Sequence, residues 1–514
     1  MANKVNLDAL LPREDFHIEG NESPIPPGQL KSSMTITDLH KDNWFLLSLR
    51  KPDFQRETSD WEASKIYKFI DSFVHGDLIP AIILWRNPSG NLFIVDGAHR
   101  ISALIAWIND DYGDGDLSKK FYQDIAFDQI EVAKRTRELV NKEIGTYGQY
   151  IFSQPDEATP ERESRAKLLA SQAIILQWIT GDPSKAEESF LKINQQATPI
   201  SEIEKRVLKA RKKPNGIATR AIIKGGQGHK YWGGFSPDVQ QQIEELAQEI
   251  HKVLFEPELQ TPIKTLDLPV AGKAYSSQSL PLVLDFVDIV NNVSGELPDD
   301  IDGKLTQKYL KECKKIAQRI SSDHPGSLGI SPFAYFYSIN GRHKPASFYA
   351  ITALILQLEK ESKFREFTSI RSKFETILVK YDYLVQQIVR HYRGAFSSYP
   401  HIQMFYWMCI TKLLEGKTEK KVIEEIVTEP EFAKYLAKVK EENKATGKEF
   451  SSDTKSEAYL RQAIKKALKC AICGGYLHKS STSIDHKARK EDGGMGSADN
   501  AQLTHMYCNT TYKN

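Results

Sequence analysis

The sequence predicts an α+β protein built from several domains. At 514 residues the chain is too long for a single hydrophobic core. Short strand-like and helix-like runs alternate near the N-terminus, a charged and helix-periodic middle follows, and cysteine and histidine cluster near the end. We therefore expect an α+β domain over 30–210, an α-helical domain over 211–442, a linker over 443–456 and a small module over 457–514.

Composition and charge limit the location of the protein. Hydrophobic residues make up 40% and charged residues 26%, the balance of a soluble globular protein. The N-terminus lacks the apolar run of a secretory signal, and the most apolar later run, 348–358, is about half the roughly 20 residues that span a bilayer. We expect a cytoplasmic protein with no membrane partner. The net charge is only +2, so any contact with nucleic acid must come from local patches.

The N-terminal part contains a hairpin followed by a helix. Two β-rich apolar runs, 79–85 and 92–95, flank a turn rich in Asn, Pro, Ser and Gly. Asp96 and Gly97 end the second run, and a helical period begins at Ile101. The predicted unit is therefore strand, Asp-Gly turn, helix.

This turn is a candidate anion site. Free backbone N–H groups and the positive end of the helix dipole would face outward beside Arg100. Arg56, from the preceding segment, can add a bidentate contact to the same anion. The residues by themselves equally allow that Asp96 caps the helix and Arg100 pairs with a surface acid.

Three segments follow one another as in a known family: 52–56, the box 95–101 and the downstream segment 190–201. They resemble the ParB/sulfiredoxin-like fold, and more closely its restriction-associated branch with an Asp-Gly-Gln-Gln-Arg box. Ala98 and His99 replace the two glutamines. The resemblance implies nucleotide binding and hydrolysis, as in GmrSD-type modification-dependent endonucleases and phosphorothioate-sensing antiphage nucleases. The nucleotide contacts expected on this basis are Arg56, Asp96, Gly97, His99, Arg100 and Asn194.

The C-terminal module carries four candidate metal ligands in two pairs. Cys470 and Cys473 precede two glycines, and His505 and Cys508 form the second pair. Such pairs fit a closed tetrahedral zinc site, and clustered cysteines in a cytosolic chain indicate metal before disulfide. The segment is too short to form a hydrophobic core of its own, so a bound metal ion would be needed to stabilise its fold. We predict structural zinc, and the alternative is a chance pair of cysteines.

Four further polar residues accompany these pairs: Asp485, His486, Asn500 and Asn509. In this order, over 470–513, they resemble the HNH endonuclease family in its form with two zinc-binding pairs around a ββα-metal fold. The resemblance implies that His486 is the general base, that Asp485 and Asn509 hold the catalytic ion, and that Asn500 braces the loop orienting the base. His505 replaces the family's usual third zinc cysteine and is itself a sound zinc ligand.

Elementary chemistry agrees with this assignment. Phosphodiester hydrolysis needs a base to activate water and a cation to neutralise charge on the phosphate and the leaving oxygen. An adjacent aspartate and histidine, Asp485 and His486, can serve both needs. The basic residue of the family's final helix falls later than usual, at Lys513, which we expect to contact phosphate.

The sequence thus predicts a nucleotide-regulated, metal-dependent HNH DNA endonuclease of bacterial antiphage defence or modification-dependent restriction. Its expected cofactors are structural zinc, catalytic magnesium or manganese, and a nucleoside triphosphate. Expected partners are DNA, modified or not, and a second copy of the chain or a defence-system protein. The alternative is a non-catalytic DNA-binding switch or clamp with a structural zinc module, and an RNA substrate also stays open.

Overall fold

The computed structural model divides the chain into two compact units, Met1–Arg211 and Lys212–Asn514. It describes residues 4–14, 30–52, 55, 58, 61–122, 125, 127–151, 159–181, 185–186, 188–190, 192–193, 206, 209–227, 230–274, 279–437 and 450–513. The first unit begins earlier than the predicted domain, because Val5, Leu7 and Leu11 are buried in its core.

A six-stranded mixed sheet organises the first unit. Its strands are β1 (Arg13–Glu14), β2 (Ser33–Thr35), β3 (Leu49–Pro52), β4 (Ile82–Arg86), β5 (Leu92–Asp96) and β6 (Ala173–Ile179). Their order is β1-β3-β5-β4-β6-β2, with β4 antiparallel to β5, β6 antiparallel to β2, and the other neighbours parallel. The antiparallel β4 and β5 confirm the predicted hairpin.

Among the described residues of the first unit, the helices with both ends described are α1 (Trp44–Ser48), α2 (Ala63–Val74), α3 (Ala98–Ile108), α4 (Asp116–Tyr122), α5 (Phe127–Glu143), α6 (Gly148–Ile151) and α7 (Pro160–Ser171). In α2, Ile66, Ile70 and Phe73 recur at helical spacing and are fully buried. Helix α3 follows β5 directly through Gly97, whose φ of 100° is readily adopted by glycine. The predicted strand, turn and helix are therefore confirmed.

The second unit is mostly helical, as expected for the middle of the chain. Its helices are α8 (Pro214–Lys224), α9 (Pro237–Phe255), α10 (Ser279–Val290), α11 (Lys304–Ile320), α12 (Pro332–Tyr335), α13 (Pro345–Lys360), α14 (Phe364–Lys380), α15 (Asp382–Tyr392), α16 (Ala395–Leu414), α17 (Glu419–Ile426) and α18 (Ser452–Ala463). Strands β7 (Thr482–His486) and β8 (Ala501–His505) pair antiparallel. Within the described part of the chain, every helix is too short or too polar to cross a membrane.

The predicted linker differs from the structure. Helix α18 begins inside it, because the Ser451 hydroxyl caps the helix by accepting from the Thr454 N–H at 3.1 Å. Residues 443–449 lie outside the described residues. Leu460 and Tyr507 are buried in the same core as the helices, so the C-terminal module belongs to the second compact unit instead of standing apart.

Candidate functional site

The two predicted ligand pairs meet in space. Ligand atoms of Cys470, Cys473, His505 and Cys508 all lie within 4.8 Å of one another. The Sγ atoms of Cys473 and Cys508 are 3.3 Å and 3.7 Å from Nδ1 of His505. Three sulfurs and one imidazole nitrogen form a donor set that suits zinc. The cluster can therefore hold a metal ion such as zinc.

The imidazole of His505 is held in the chemical form that a metal requires. His505 Nε2 lies 2.9 Å from the Tyr476 carbonyl oxygen, so a proton on Nε2 leaves the Nδ1 lone pair facing the sulfurs. Burial, followed by the charge of Arg371, lowers the pKa of His505 and keeps its ring neutral. Hydrogen bonds from Cys473 and then Cys508 lower the pKa of Cys470 and favour its thiolate, whereas the hydrogen bonds with Cys470 raise the pKa of Cys473 and of Cys508. A metal ion would therefore have to displace protons from those two thiols.

Local backbone structure positions each pair. The first pair occupies a tight turn, in which the Cys470 N–H donates to the Gly475 carbonyl at 2.8 Å and the Gly474 N–H donates to the Cys470 carbonyl at 2.9 Å. Strand β8 ends at His505, and a single π-helical turn, Cys508–Tyr512, follows. The Ala471 N–H donates to the Leu503 carbonyl at 3.0 Å and links the two parts.

The predicted base stands at the end of a strand beside the predicted metal ligand. In the β7–β8 ladder, Asp485 faces Gln502 and His486 faces Ala501. Across the strands, Gln502 Nε2 donates to Asp485 Oδ2 at 2.8 Å. Asp485 is largely buried, whereas His486 is partly exposed. The hairpin thus fixes the carboxylate and leaves the imidazole accessible.

Lys513 lies against the same carboxylate. Its Nζ is 2.6 Å from Asp485 Oδ2 and 2.8 Å from the His486 carbonyl oxygen. Burial raises the pKa of Asp485, but hydrogen bonds from Lys513 and Gln502 outweigh burial, so the net shift is downward and the group is ionised. The cation expected to contact phosphate therefore pairs with the carboxylate expected to hold the ion. Both roles stay predictions.

The two asparagines fasten the segments around the hairpin. Asn500 Oδ1 accepts from the Ala488 N–H at 2.8 Å, and its Nδ2 donates to the carbonyls of Ala488 at 3.1 Å and Met495 at 2.8 Å. Asn500 thereby holds the loop that follows His486. Asn509 Nδ2 donates to Ser483 Oγ of β7 at 2.9 Å. The structure thus brings the five predicted residues to one hairpin and the turn after it, while their catalytic roles stay predictions.

The candidate nucleotide site of the first unit is partly described. Arg100 Nη2 lies 2.6 Å from Asp96 Oδ2, and Nη1 donates to the Pro80 carbonyl at 3.1 Å. Gly97 occupies the N-cap position, so Asp96 pairs with Arg100 instead of capping α3. The His99 ring stacks on Trp61 with 5.6 Å between centroids. Arg56 and Asn194 lie outside the described residues, and the nucleotide contacts stay predictions.

Sequence reasoning missed three residues near the C-terminal site. Gln502 binds Asp485 across the hairpin, and the ion pair of Arg371 and Glu375 on α14 lies beside His505. For Gln502 the available signal was the alternation of two short strands, which places facing residues once the register is known. An arginine and a glutamate four residues apart on a helix give no signal of burial, because exposed pairs have the same spacing.

Comparison with known proteins gives a match for part of the first unit. The family model of the GmrSD restriction endonuclease N-terminal domain matches residues 36–211. Searches of curated proteins and of solved structures gave no match. The match bears out the GmrSD part of the predicted resemblance, whereas the ParB-like relationship and the HNH resemblance stay predictions. Most of the first compact unit, from residue 36 to residue 211, is therefore similar to the N-terminal domain of GmrSD restriction endonuclease.

Proposed function

We propose that the protein is a nucleotide-regulated, metal-dependent DNA endonuclease of antiphage defence or modification-dependent restriction. The observation that carries the proposal is that one short hairpin bears Asp485 and His486 next to the Cys3His cluster. The similarity of residues 36–211 to a restriction endonuclease domain supports a role in restriction. In this proposal the first unit senses or switches, and the hairpin cuts.

Each predicted catalytic residue on the hairpin and the turn after it has a proposed role. His486 takes a proton from water, which attacks phosphorus while the phosphodiester oxygen leaves. Side-chain oxygens of Asp485 and Asn509 would hold magnesium or manganese, and such an ion would supply positive charge to the phosphate and the leaving oxygen. Asn500 keeps the loop after His486 in place through its bonds to Ala488. Lys513 is close enough to this carboxylate to contact the same phosphate.

The Cys3His cluster has a structural task in this proposal. Four protein ligands leave no open position for water or substrate, as in structural zinc sites. Cys508 directly precedes Asn509, and His505 ends the strand that pairs with β7. Zinc bound there would fix the strands and the turn that present the catalytic groups.

A non-catalytic DNA clamp is the second candidate function. The observation that favours it is the Lys513–Asp485 ion pair of 2.6 Å. In this pair an ammonium group occupies the position beside the carboxylate that a catalytic ion would need. A clamp would use this lysine and the surrounding basic residues for phosphate contacts without hydrolysis.

A cleavage assay separates these functions. The zinc-loaded protein is incubated with unmodified and variously modified plasmid DNA, with and without magnesium and each nucleoside triphosphate. Magnesium-dependent nicking supports the nuclease, and dependence on a modification identifies the restricted substrate. Tight DNA binding with intact plasmid under every condition would establish the clamp.

Replacement of Arg100 tests the nucleotide site. We expect Arg100→Ala to weaken nucleoside triphosphate binding by roughly 10- to 150-fold, since a charge-assisted hydrogen bond is worth roughly 1.5–3 kcal/mol. Isothermal titration calorimetry with ATP and GTP measures this change. The control is Arg165→Ala, which removes another i,i+4 ion pair of the first unit, with Glu161. Equal affinities for both variants, or no binding to wild type, would refute the site.

Replacement of Lys513 tests competition for Asp485. We expect Lys513→Met to tighten manganese binding about fivefold, because an ion pair of this partly exposed kind is worth about 1 kcal/mol. Electron paramagnetic resonance of free manganese measures the affinity, and Asp485→Asn identifies the signal of this site. Lys490→Met, an exposed lysine of the adjoining loop, is the control. A manganese affinity that does not change in Lys513→Met would contradict the competition.

A further inference from the structure

We propose that a buried ion pair on α14, formed by Arg371 and Glu375, completes the metal centre. The pair holds the ligand His505 and the turn of the first cysteine pair, and Arg371 balances the charge of the metal–thiolate cluster. The inference rests on the proposed zinc site and is independent of nuclease activity. It makes the helical body of the second unit part of the metal centre.

Arg371 connects the helical body to the ligand. Its side chain is only 2% exposed, and its Nε lies 2.7 Å from Glu375 Oε1. Nη2 donates to the Gly329 carbonyl at 2.9 Å, and Nη1 donates to the Leu328 carbonyl. The same Nη1 is 3.3 Å from Nδ1 of His505, the nitrogen that faces the sulfurs. The guanidinium is thus fixed against the cluster.

Glu375 holds the peptide on which the orientation of His505 depends. Its Oε2 accepts from the Tyr476 N–H at 2.6 Å, and its Oε1 accepts from the Tyr335 hydroxyl at 3.0 Å. The carbonyl of the same Tyr476 lies 2.9 Å from His505 Nε2. Glu375 therefore acts on His505 through one residue and stabilises the tautomer that offers Nδ1 to a metal.

Two glycines allow this close packing. A Cβ atom on Gly475, in the turn of the first cysteine pair, would lie 2.8 Å from Arg371 Nε. A Cβ atom on Gly329, which has a φ of +59°, would lie 2.8 Å from His505 Cδ2. Side chains at either position would push the body and the cluster apart. Glycine at both positions therefore allows α14 and the loop that contains Gly329 to pack directly against the metal ligands.

The positive charge of Arg371 beside the cluster can stabilise bound zinc. A zinc ion with three thiolates and a neutral imidazole carries one net negative charge, and a charge buried beside α14 is costly unless a cation balances it. Arg371 is buried and interacts electrostatically with Cys473. Zinc binding and the ion pair should therefore stabilise each other.

The alternative is that the pair only anchors the loop around Leu328 to α14. In that case, replacing Arg371 costs the same stability whether zinc is bound or not. A double-mutant cycle distinguishes the two, because coupling appears only between groups that interact.

The test uses the full chain and measures zinc instead of activity. We expect Arg371→Met to release zinc to a chelating dye at least tenfold faster than wild type, since loss of a supporting contact lowers metal affinity about 10- to 100-fold. The loss of stability caused by Arg371→Met should shrink in a Cys473→Ser background. Lys344→Met, which breaks another largely buried ion pair of this unit, with Asp382, should leave zinc release unchanged.

Glu375→Gln is the second variant, and it decides the matter if Arg371→Met does not fold. It keeps the size of the side chain but has one acceptor oxygen where Glu375 has two, so it cannot hold both Arg371 and the Tyr476 N–H. The weaker hold on the peptide that orients His505 should also speed zinc release. Unchanged zinc release in a folded variant, or an equal stability loss with and without Cys473, would overturn the inference. A wild-type protein without zinc would refute the proposed zinc site itself, which is a different result.

Discussion

His486→Ala is expected to lower DNA hydrolysis by about 10²- to 10⁴-fold while leaving the zinc content of the protein unchanged. General bases contribute rate factors of this size, because the attacking water is otherwise not deprotonated. His486 ends β7 and lies outside the four ligands of the Cys3His cluster, so its loss should not release the metal. Plasmid nicking under magnesium, together with elemental analysis, measures both quantities in one preparation.

Two further variants serve as comparisons for His486→Ala. Asp485→Asn should also lose activity, because it weakens the proposed site for the catalytic ion, but it should retain zinc. His40→Ala, which removes an exposed histidine of the first unit, should retain both zinc and activity. Full magnesium-dependent cutting by His486→Ala would exclude this residue as the base and remove the nuclease assignment based on it.

Local patterns predicted the parts of the fold in which neighbours in sequence are neighbours in space. The hairpin and α3 were predictable because a change of period from two to 3.6 residues is visible at Asp96 and Gly97. The four Cys3His ligands were predictable because a metal site needs specific side chains at short spacing. Helix α18 begins at Ser452, inside the predicted linker, because composition does not distinguish a serine that caps a helix from a serine of a polar linker.

Contacts between residues far apart in the chain could not be predicted from the sequence. Arg371 and Glu375 have the spacing of an ordinary surface pair on a helix, and only the packing of α14 against the cluster buries them. The Lys513–Asp485 pair depends on where the turn after β8 places the end of the chain. For Arg100, the residues left an anion site and an ion pair equally open. The structure has Arg100 paired with Asp96, and a nucleotide contact of Arg100 stays a prediction.

Cys473→Ser is expected to remove the zinc, from about one ion per chain in wild type to nearly none, and to unfold the C-terminal hairpin locally. Structural zinc sites supply roughly 10–16 kcal/mol of apparent binding energy in small zinc modules, and a serine hydroxyl does not replace a thiolate ligand. Strand β8 ends at the ligand His505, so its pairing with β7 should weaken when the metal is lost.

The helical body should survive this change, because its own hydrophobic core remains. Hydrogen exchange should therefore show lost protection in β7 and β8 but not in α13 and α16, which pack in the centre of that core.

Cys409→Ala is the matched control: Cys409 is fully buried in α16 and lies outside the Cys3His cluster, so the zinc should stay. Folded wild-type protein without zinc, or full zinc content in Cys473→Ser, would contradict the site. Zinc loss without any loss of protection in β7 and β8 would contradict only its structural role, because the hairpin would then be held by the helical body alone.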